Sequence, residues 1–316
     1  MADDLIIGCK GQDGLILTGL LEGYGRVVAG VSKNNLYYKG KKTPFNVLND
    51  TQVRSLIQDL KPKRVYYLAG YHHSAQQSPN TDPFIFKRSL KVHVDGLLGI
   101  IEALHELAPK SRMFYAASSH IFGLPESSPQ TERSVINPIS VYGITKYTGM
   151  KICQFFRNNL NYFCSVGILY NHESILRSTE FVSAKIVHTA VNIKLGLDSA
   201  LILGDMEVEV DWGYAPDYMD AVIRILDAEK PNDFIISSGS LYKVKDFVEV
   251  VFDELDLDWK KYVKIDKEIL LNENKRQSLF GDNSLLCSTT GWSPSTNMRE
   301  MARIMVKNKI KEVEGL

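Results

Sequence analysis

A short apolar run, LIIG, passes into the turn Gly8-Cys9-Lys10-Gly11-Gln12-Asp13-Gly14 and straight on into an apolar helical stretch, LILTGLLEG. Glycines at this spacing let the backbone turn sharply and leave the N–H groups at a helix start uncovered, where a pyrophosphate is stabilised. A glycine pattern alone is weak, but strand, turn and helix follow here in the order that dinucleotide binding needs. Gly8, Gly11, Gln12, Asp13 and Gly14 are therefore cofactor-binding candidates.

The rest of the chain keeps that rhythm. Short, β-branched runs at 26–31, 64–70, 112–118 and 163–170 alternate with helical segments at 51–60, 86–107 and 140–160. Such runs, separated by helices, indicate a parallel sheet covered on both faces. The expected fold is α/β, a Rossmann-type doubly wound parallel sheet with a smaller C-terminal substrate-binding lobe. We expect an NAD(P)-binding domain over 1–170 and the lobe over 171–316, from which a segment near 205–240 returns to the sheet. The polar run LLNENKRQSLFGDNS is expected as surface loop.

Composition narrows the partners. Lys+Arg and Asp+Glu both number 37, so no basic excess points to nucleic acid or to an anionic membrane. No stretch approaches the ~18 apolar residues of a membrane span, and the acidic start MADDLIIGCKG does not fit a signal peptide, so a cytoplasmic protein is expected. Cys9, Cys153, Cys164 and Cys287 are scattered without a C-x-x-C pair, which favours reduced thiols and no metal site.

Catalytic candidates follow from spacing. Tyr142 and Lys146 are four residues apart and share one helix face. An ammonium beside a phenol favours phenolate, which can take a hydroxyl proton while hydride leaves the same carbon. Ser118 ends an earlier strand, at the sheet edge where ligands bind. A buried tyrosine with a lysine reaching for solvent is the alternative. Where a carboxylate would hold the ribose of NAD, the chain has Ser32-Lys33-Asn34-Asn35, so Lys33 leans the expectation towards NADP. Ser32, Lys33, Leu48, Ala69 and Gly70, with Tyr142 and Lys146, complete the cofactor-binding candidates. His72 and His73 follow a strand end, as loop histidines or as lining of the nicotinamide pocket.

Together these residues resemble the extended short-chain dehydrogenase/reductases. The similarity narrows to the GDP-mannose 4,6-dehydratase branch through GQDG, VDGLLGIIEAL, FYAASSHIFG, VYGITK, GILYNHES, FVSAKI, DWGYAPDY and GWSP, which span most of the chain. In relatives of this type NADP takes hydride from C4 of the sugar, water is eliminated across C5 and C6, and hydride returns to C6. The resemblance implies a GDP-linked sugar contacted by Asn171 and Lys185, with His172 and Glu173 ordering the loop; Ser119, Glu173, Arg177 and Arg276 are further substrate-binding candidates, the two arginines as substitutes for diphosphate-holding arginines that the chain lacks. It also implies a homodimer joined through the helices at 86–107 and 140–160.

The departures are specific. His120 stands where the dehydratases carry the glutamate that handles protons at C5 and C6, and Ser118 where they carry threonine. Val210 precedes DWG in place of an arginine, Leu271 lies where a later arginine is expected, and Val47 replaces an adenine-binding aspartate. Imidazole also exchanges protons near pH 7. His120 can therefore substitute in dehydration, serve C4 oxidation or epimerisation without dehydration, or only pack. The expected activity is oxidation of C4 of a GDP-mannose-type sugar. A GDP-hexose or GDP-heptose 4-dehydrogenase or epimerase, and a redox-inactive nucleotide-sugar sensor, remain as alternatives.

Overall fold

The computed structural model describes residues 2–71, 83–266 and 278–315. The chain opens with β1 (Asp4–Ile7), α1 (Gln12–Gly23), β2 (Val28–Ser32), β3 (Asn35–Tyr38), β4 (Lys41–Pro44), α2 (Asp50–Leu60) and β5 (Arg64–Tyr67). After α3 (Pro83–Leu90), a π turn (Lys91–Asp95) and α4 (Gly96–Leu107) come β6 (Arg112–Ser118), a 3-10 turn (Ser119–Phe122), α5 (Val141–Leu160) and β7 (Cys164–Leu169). The remainder is β8 (Asn171–Glu173), α6 (Val182–Lys194), β9 (Leu201–Leu203), β10 (Glu209–Tyr214), α7 (Ala215–Asp227), β11 (Asp233–Ile236), β12 (Leu241–Lys243), α8 (Val244–Asp253), α9 (Trp259–Tyr262), β13 (Val263–Ile265), α10 (Ser284–Thr290) and α11 (Met298–Glu314).

Eight strands form the main sheet in the order β11-β7-β6-β5-β1-β2-β3-β4. All pair in parallel except β3 and β4, which continue antiparallel from β2. The chain runs outward from β1 to β2 and then returns to the other side of β1 as β5. That reversal makes a crevice beyond the ends of β1 and β5, where doubly wound sheets take their ligands. Apolar side chains fill both faces. Val53, Ile57, Ile100 and Leu104 pack on one with Tyr115, while Leu17, Leu21, Met219 and Val222 pack on the other with Phe114. A separate core joins α6, α8 and α11 around Trp212, Phe247 and Met301.

Three sequence expectations are adjusted. The segment at 86–107 is not one helix, because the π turn interrupts it and rotates His93 inward, fully buried. The stretch after β2 turns back through Lys33 and Asn34, both at positive φ, into an unforeseen hairpin. The expected surface loop at 270–284 lies partly outside the described residues, and its described end is held down. Gln130 and Phe280 exchange main-chain and side-chain hydrogen bonds, and Gly281 donates to the buried Asp211. None of the four cysteines is in a disulfide.

Candidate active site

The glycine turn sits on the crevice because the sheet requires it there. Gly8 is at φ +103, and a Cβ on it would lie 2.8 Å from the Ala69 nitrogen, so β1 and the end of β5 can close together only on glycine. Gly14 presses α1 onto Gly8 and Cys9 just as tightly. Gly11 is different: a Cβ there would touch only the Gly8 carbonyl, at an ordinary 3.5 Å. Protein packing does not demand a glycine at that position. A flat, open approach to the first turn of α1 is what it provides, and that fits a pyrophosphate.

The side chains of Gln12 and Asp13 point elsewhere. Gln12 donates to the His172 carbonyl at 3.2 Å and accepts from Ser174 Oγ at 2.9 Å. Asp13 holds His172 Nε2 at 3.0 Å, while His172 Nδ1 lies 2.7 Å from the Tyr170 carbonyl and the ring stacks on Tyr218. GQDG and NHES, over 150 residues apart (|i−j| = 159 for Asp13 and His172), are thus one bonded unit. Burial acts to raise the Asp13 pKa, but the charge and hydrogen bond of His172 outweigh it and hold it down to about 2. Burial acts to lower the His172 pKa; Asp13 outweighs it and raises it. The two form an ion pair.

The reactive wall is built by β6, the 3-10 turn and α5. Ser140 caps α5 by accepting from the Gly143 N–H at 3.1 Å. Gly143 lets the helix end dock, since a Cβ there would lie 2.5 Å from the His120 carbonyl. Ser118 lies at the end of β6, accepts from the His120 N–H at 3.3 Å and acts on the Tyr142 phenol in the direction that favours its charged form. The His120 ring meets the Tyr142 ring edge-on at 5.7 Å. Lys146, fully buried, donates to the Ala116 carbonyl at 2.8 Å and the Ala69 carbonyl at 3.4 Å, with its Nζ 5.7 Å from the Tyr142 ring centroid.

The electrostatics differ from the simple expectation of a lysine-acidified phenol. Burial, reinforced by Asp13, pushes Tyr142 up to about 12 against the opposing pull of Arg177 and Ser118. Burial pushes Lys146 down to about 7, so near neutrality it carries only part of a charge. His120 is exposed, yet enough protein surrounds the ring to desolvate it, and this lowers its pKa. Near pH 7 it is a neutral imidazole.

The remaining candidates are distributed as follows. Ala69 and Gly70 lie beside Lys146, whose Nζ would be 3.7 Å from a Cβ on Gly70. Ser32 ends β2, and Lys33 is exposed in the hairpin turn. Lys10, which sequence reasoning passed over, sits 4.8 Å above the Tyr37 ring. Leu48 is exposed ahead of α2. Ser119 is buried in the 3-10 turn and Asn171 begins β8. Glu173 is buried, accepts from Ser183 Oγ at 2.7 Å and pairs with Arg177 at 3.1 Å, while the Arg177 guanidinium lies 3.4 Å over Phe181. Arg177 acts electrostatically on both Tyr142 and Asp13. Lys185 is half-buried on α6. Arg276, Leu271, His72 and His73 lie outside the described residues. Among the described residues no group of three His, Cys, Asp or Glu side chains gathers as a metal site, and no helix is long and apolar enough to cross a membrane.

Comparison with known proteins decides the family. A family model for GDP-mannose 4,6 dehydratase matches residues 5–305. The chain belongs to that family. It is similar to GDP-mannose 4,6 dehydratase 2 of Arabidopsis thaliana, 31% identical over 97% of this chain and 86% of the relative. A GDP-mannose 4,6-dehydratase of Vibrio cholerae is 28% identical over 97% and 93% of the two chains. Among solved structures, RMD from Pseudomonas aeruginosa complexed with NADPH superposes with a TM-score of 0.83 at 20% identity, covering 98% of this chain and 99% of that one. The dTDP-glucose 4,6-dehydratase of Bacillus anthracis in complex with NAD gives 0.81 at 15% identity, covering 99% and 98%. Membership makes this chain an NAD(P)-dependent enzyme that modifies nucleotide sugars.

Proposed function

We propose that the enzyme oxidises C4 of a GDP-mannose-type sugar, with Tyr142 as base, Ser118 orienting the C4 hydroxyl and Lys146 setting the charge around both. The observation that carries this reading is the convergence of Ser118, Tyr142, Lys146 and His120 at the ends of β6 and β5, facing the glycine turn. A dinucleotide with its pyrophosphate on that turn would supply the hydride acceptor. Ser118, which acts on the phenol, would hold the C4 hydroxyl while its proton passes to the phenolate oxygen and hydride leaves C4. The phenolate forms when the phenol passes its proton to the neutral Lys146 amine, leaving phenolate and ammonium, so the pair reaches its basic form without a net change of buried charge. Asn171, Glu173, Arg177 and Lys185 would hold the substrate, with Ser119 lining the turn beneath it. Arg177 is the described guanidinium best placed for a diphosphate. The cofactor preference leans to NADP, supported by the lack of a carboxylate at the end of β2 and by Lys33 beside it.

His120 favours one branch. A neutral imidazole accepts a proton from C5, but the imidazolium so formed would have to deliver it to the C6 hydroxyl with a length and direction that differ from those of a carboxylate. We infer that the 4-keto sugar is released or epimerised with its C6 hydroxyl intact. The test is incubation with GDP-mannose and related GDP-hexoses and GDP-heptoses in D2O, with NADP or NAD, read by cofactor absorbance and NMR. Reduced cofactor, or deuterium at C5 with C6 unchanged, is expected. A new C6 methyl group would overturn the branch, and no turnover across the panel would overturn the activity. Gly11→Ala should leave thermal stability unchanged while weakening NADPH binding at least ~10-fold, because its Cβ fills the pyrophosphate approach and nothing else.

The same reading divides the chain into an NAD(P)-binding domain over 1–170 and a substrate lobe over 171–316, with β11 in the main sheet as the returning segment. It also includes a homodimer. Leu98 of α4 and Ile152, Phe155 and Leu160 of α5 line an apolar groove of about 590 Å³, which a second copy would cover. Sedimentation of Phe155→Glu beside the parent chain tests it, with dissociation to monomer expected.

A further inference from the structure

His93 takes no part in the site as derived above, yet it touches both of its halves. We propose that His93 is a positioning residue, a neutral imidazole strut that fixes the Tyr142 ring relative to the β5 end on which the cofactor would lie. The proposal rests on the C4-oxidation reading for its effect on turnover, but not for its geometry.

The hydrogen bonds leave one arrangement of protons. The Tyr71 main-chain N–H is 2.9 Å from His93 Nε2, and a main-chain N–H can only donate, so Nε2 accepts. In a neutral ring the proton is then on Nδ1, which lies 2.7 Å from Thr145 Oγ1. Thr145 in turn donates to the carbonyls of Val141 at 2.9 Å or Tyr142 at 3.2 Å. A directed chain thus runs from the strand end through the imidazole into the first turn of α5. A second proton on the ring would set one N–H against another.

Packing adds the constraint on the phenol. The His93 ring meets Tyr142 edge-on at 5.4 Å and 83°, while His120 does the same at 5.7 Å and 86°. A Cβ on Gly70 would lie 3.8 Å from His93 Nε2 and 3.7 Å from Lys146 Nζ, so strut and ammonium meet on one residue of the strand end. The π turn explains how the imidazole gets there, since its extra residue rotates His93 inward, and such turns gather at functional sites. A ring fully buried in this way cannot swing aside, and a displacement of about 1 Å between reacting groups costs of the order of 100-fold in rate.

The test uses the full chain. His93→Phe keeps the ring and removes both hydrogen bonds. We expect kcat on the accepted GDP-sugar to fall about 10- to 100-fold with KM and melting temperature near those of the parent. His93→Asn, which can still donate to Thr145, should recover part of the loss. Two further measurements need no substrate. Nitrogen-15 NMR of the parent should show the Nδ1-protonated tautomer, and tyrosinate absorbance assigned by subtracting Tyr142→Phe should titrate at a shifted pH in His93→Phe. An Nε2-protonated ring, or a folded His93→Phe with parental kcat and parental phenol titration, overturns the proposal. A parent chain that turns over no GDP-sugar counts against the C4-oxidation reading alone, because the tautomer and the titration still decide the strut.

Discussion

Asp13 with His172 and Tyr142 with Lys146 line the same cleft, and burial acts on both pairs with opposite outcomes. In the first, the partners answer each other directly at 3.0 Å, so each shifts towards its charged form and the pair stays ionised. In the second, the ammonium spends its hydrogen bonds on the Ala116 and Ala69 carbonyls and faces the phenol only from beyond its ring, so each is pushed towards its neutral form. The difference separates a clamp from a reactive group. A satisfied ion pair welds α1 to the 171–174 segment, whereas a phenol and an amine held neutral are ready to exchange a proton.

The comparison can be broken most decisively at Tyr142. Tyr142→Phe should lower kcat about 1,000-fold while leaving nucleotide-sugar affinity within a few-fold, measured by turnover and calorimetric binding. Parental turnover would remove the reactive pair from the argument, whereas a parent chain that binds nucleotide sugar without turning it over would favour a sensor. A smaller effect tests the clamp. Asp13→Ala should cost about 2 kcal/mol of unfolding free energy in weakly acidic solution, read by urea denaturation. Asp13, depressed from 3.8 to about 2, contributes stability present above pH 3.8 and lost as pH falls through 2. His172, raised from 6.5, contributes stability present below pH 6.5 and lost as pH rises through its folded value. The cost of Asp13→Ala should therefore be greatest between those limits and shrink in alkali; a cost that grows with pH would contradict the ion pair.

The smallest effect has the opposite sign. Lys146 is depressed from 10.5 to about 7, so it costs no stability above pH 10.5, and stability is lost as pH falls from there to about 7, below which the loss is complete. Lys146→Met should raise the melting temperature by a few degrees at about pH 6, with the gain fading as pH approaches 10, even as activity collapses. A gain that does not change with pH would mean that the lysine is charged throughout and that the two pairs are not tuned apart.

Much of this was readable before folding. The strand–turn–helix at Gly8–Gly14 and the i, i+4 spacing of Tyr142 and Lys146 are local, and local geometry is set by a few neighbouring residues. The π turn was not legible, because α3, the turn and α4 have one continuous helical pattern. Nor was the hairpin of β3 and β4, whose Lys33-Asn34 turn lacks the glycine that usually marks one. His93 carried one weak signal, a histidine in an apolar stretch. The side-chain destinations of Gln12 and Asp13 carried none, because their partners lie about 160 residues away.

By itself the sequence determined the alternation of the main parallel strands with helices, the glycine turn and the residue types able to move a proton, since each depends on spacing along a single strand or helix. Only the tertiary structure decided which carboxylate pairs with which imidazole, that Lys146 sits near neutrality, and that His93 joins the strand end to the helix of the phenol. Those outcomes depend on burial and on partners brought together by packing, and a charge buried beside a partner behaves differently from the same charge buried alone.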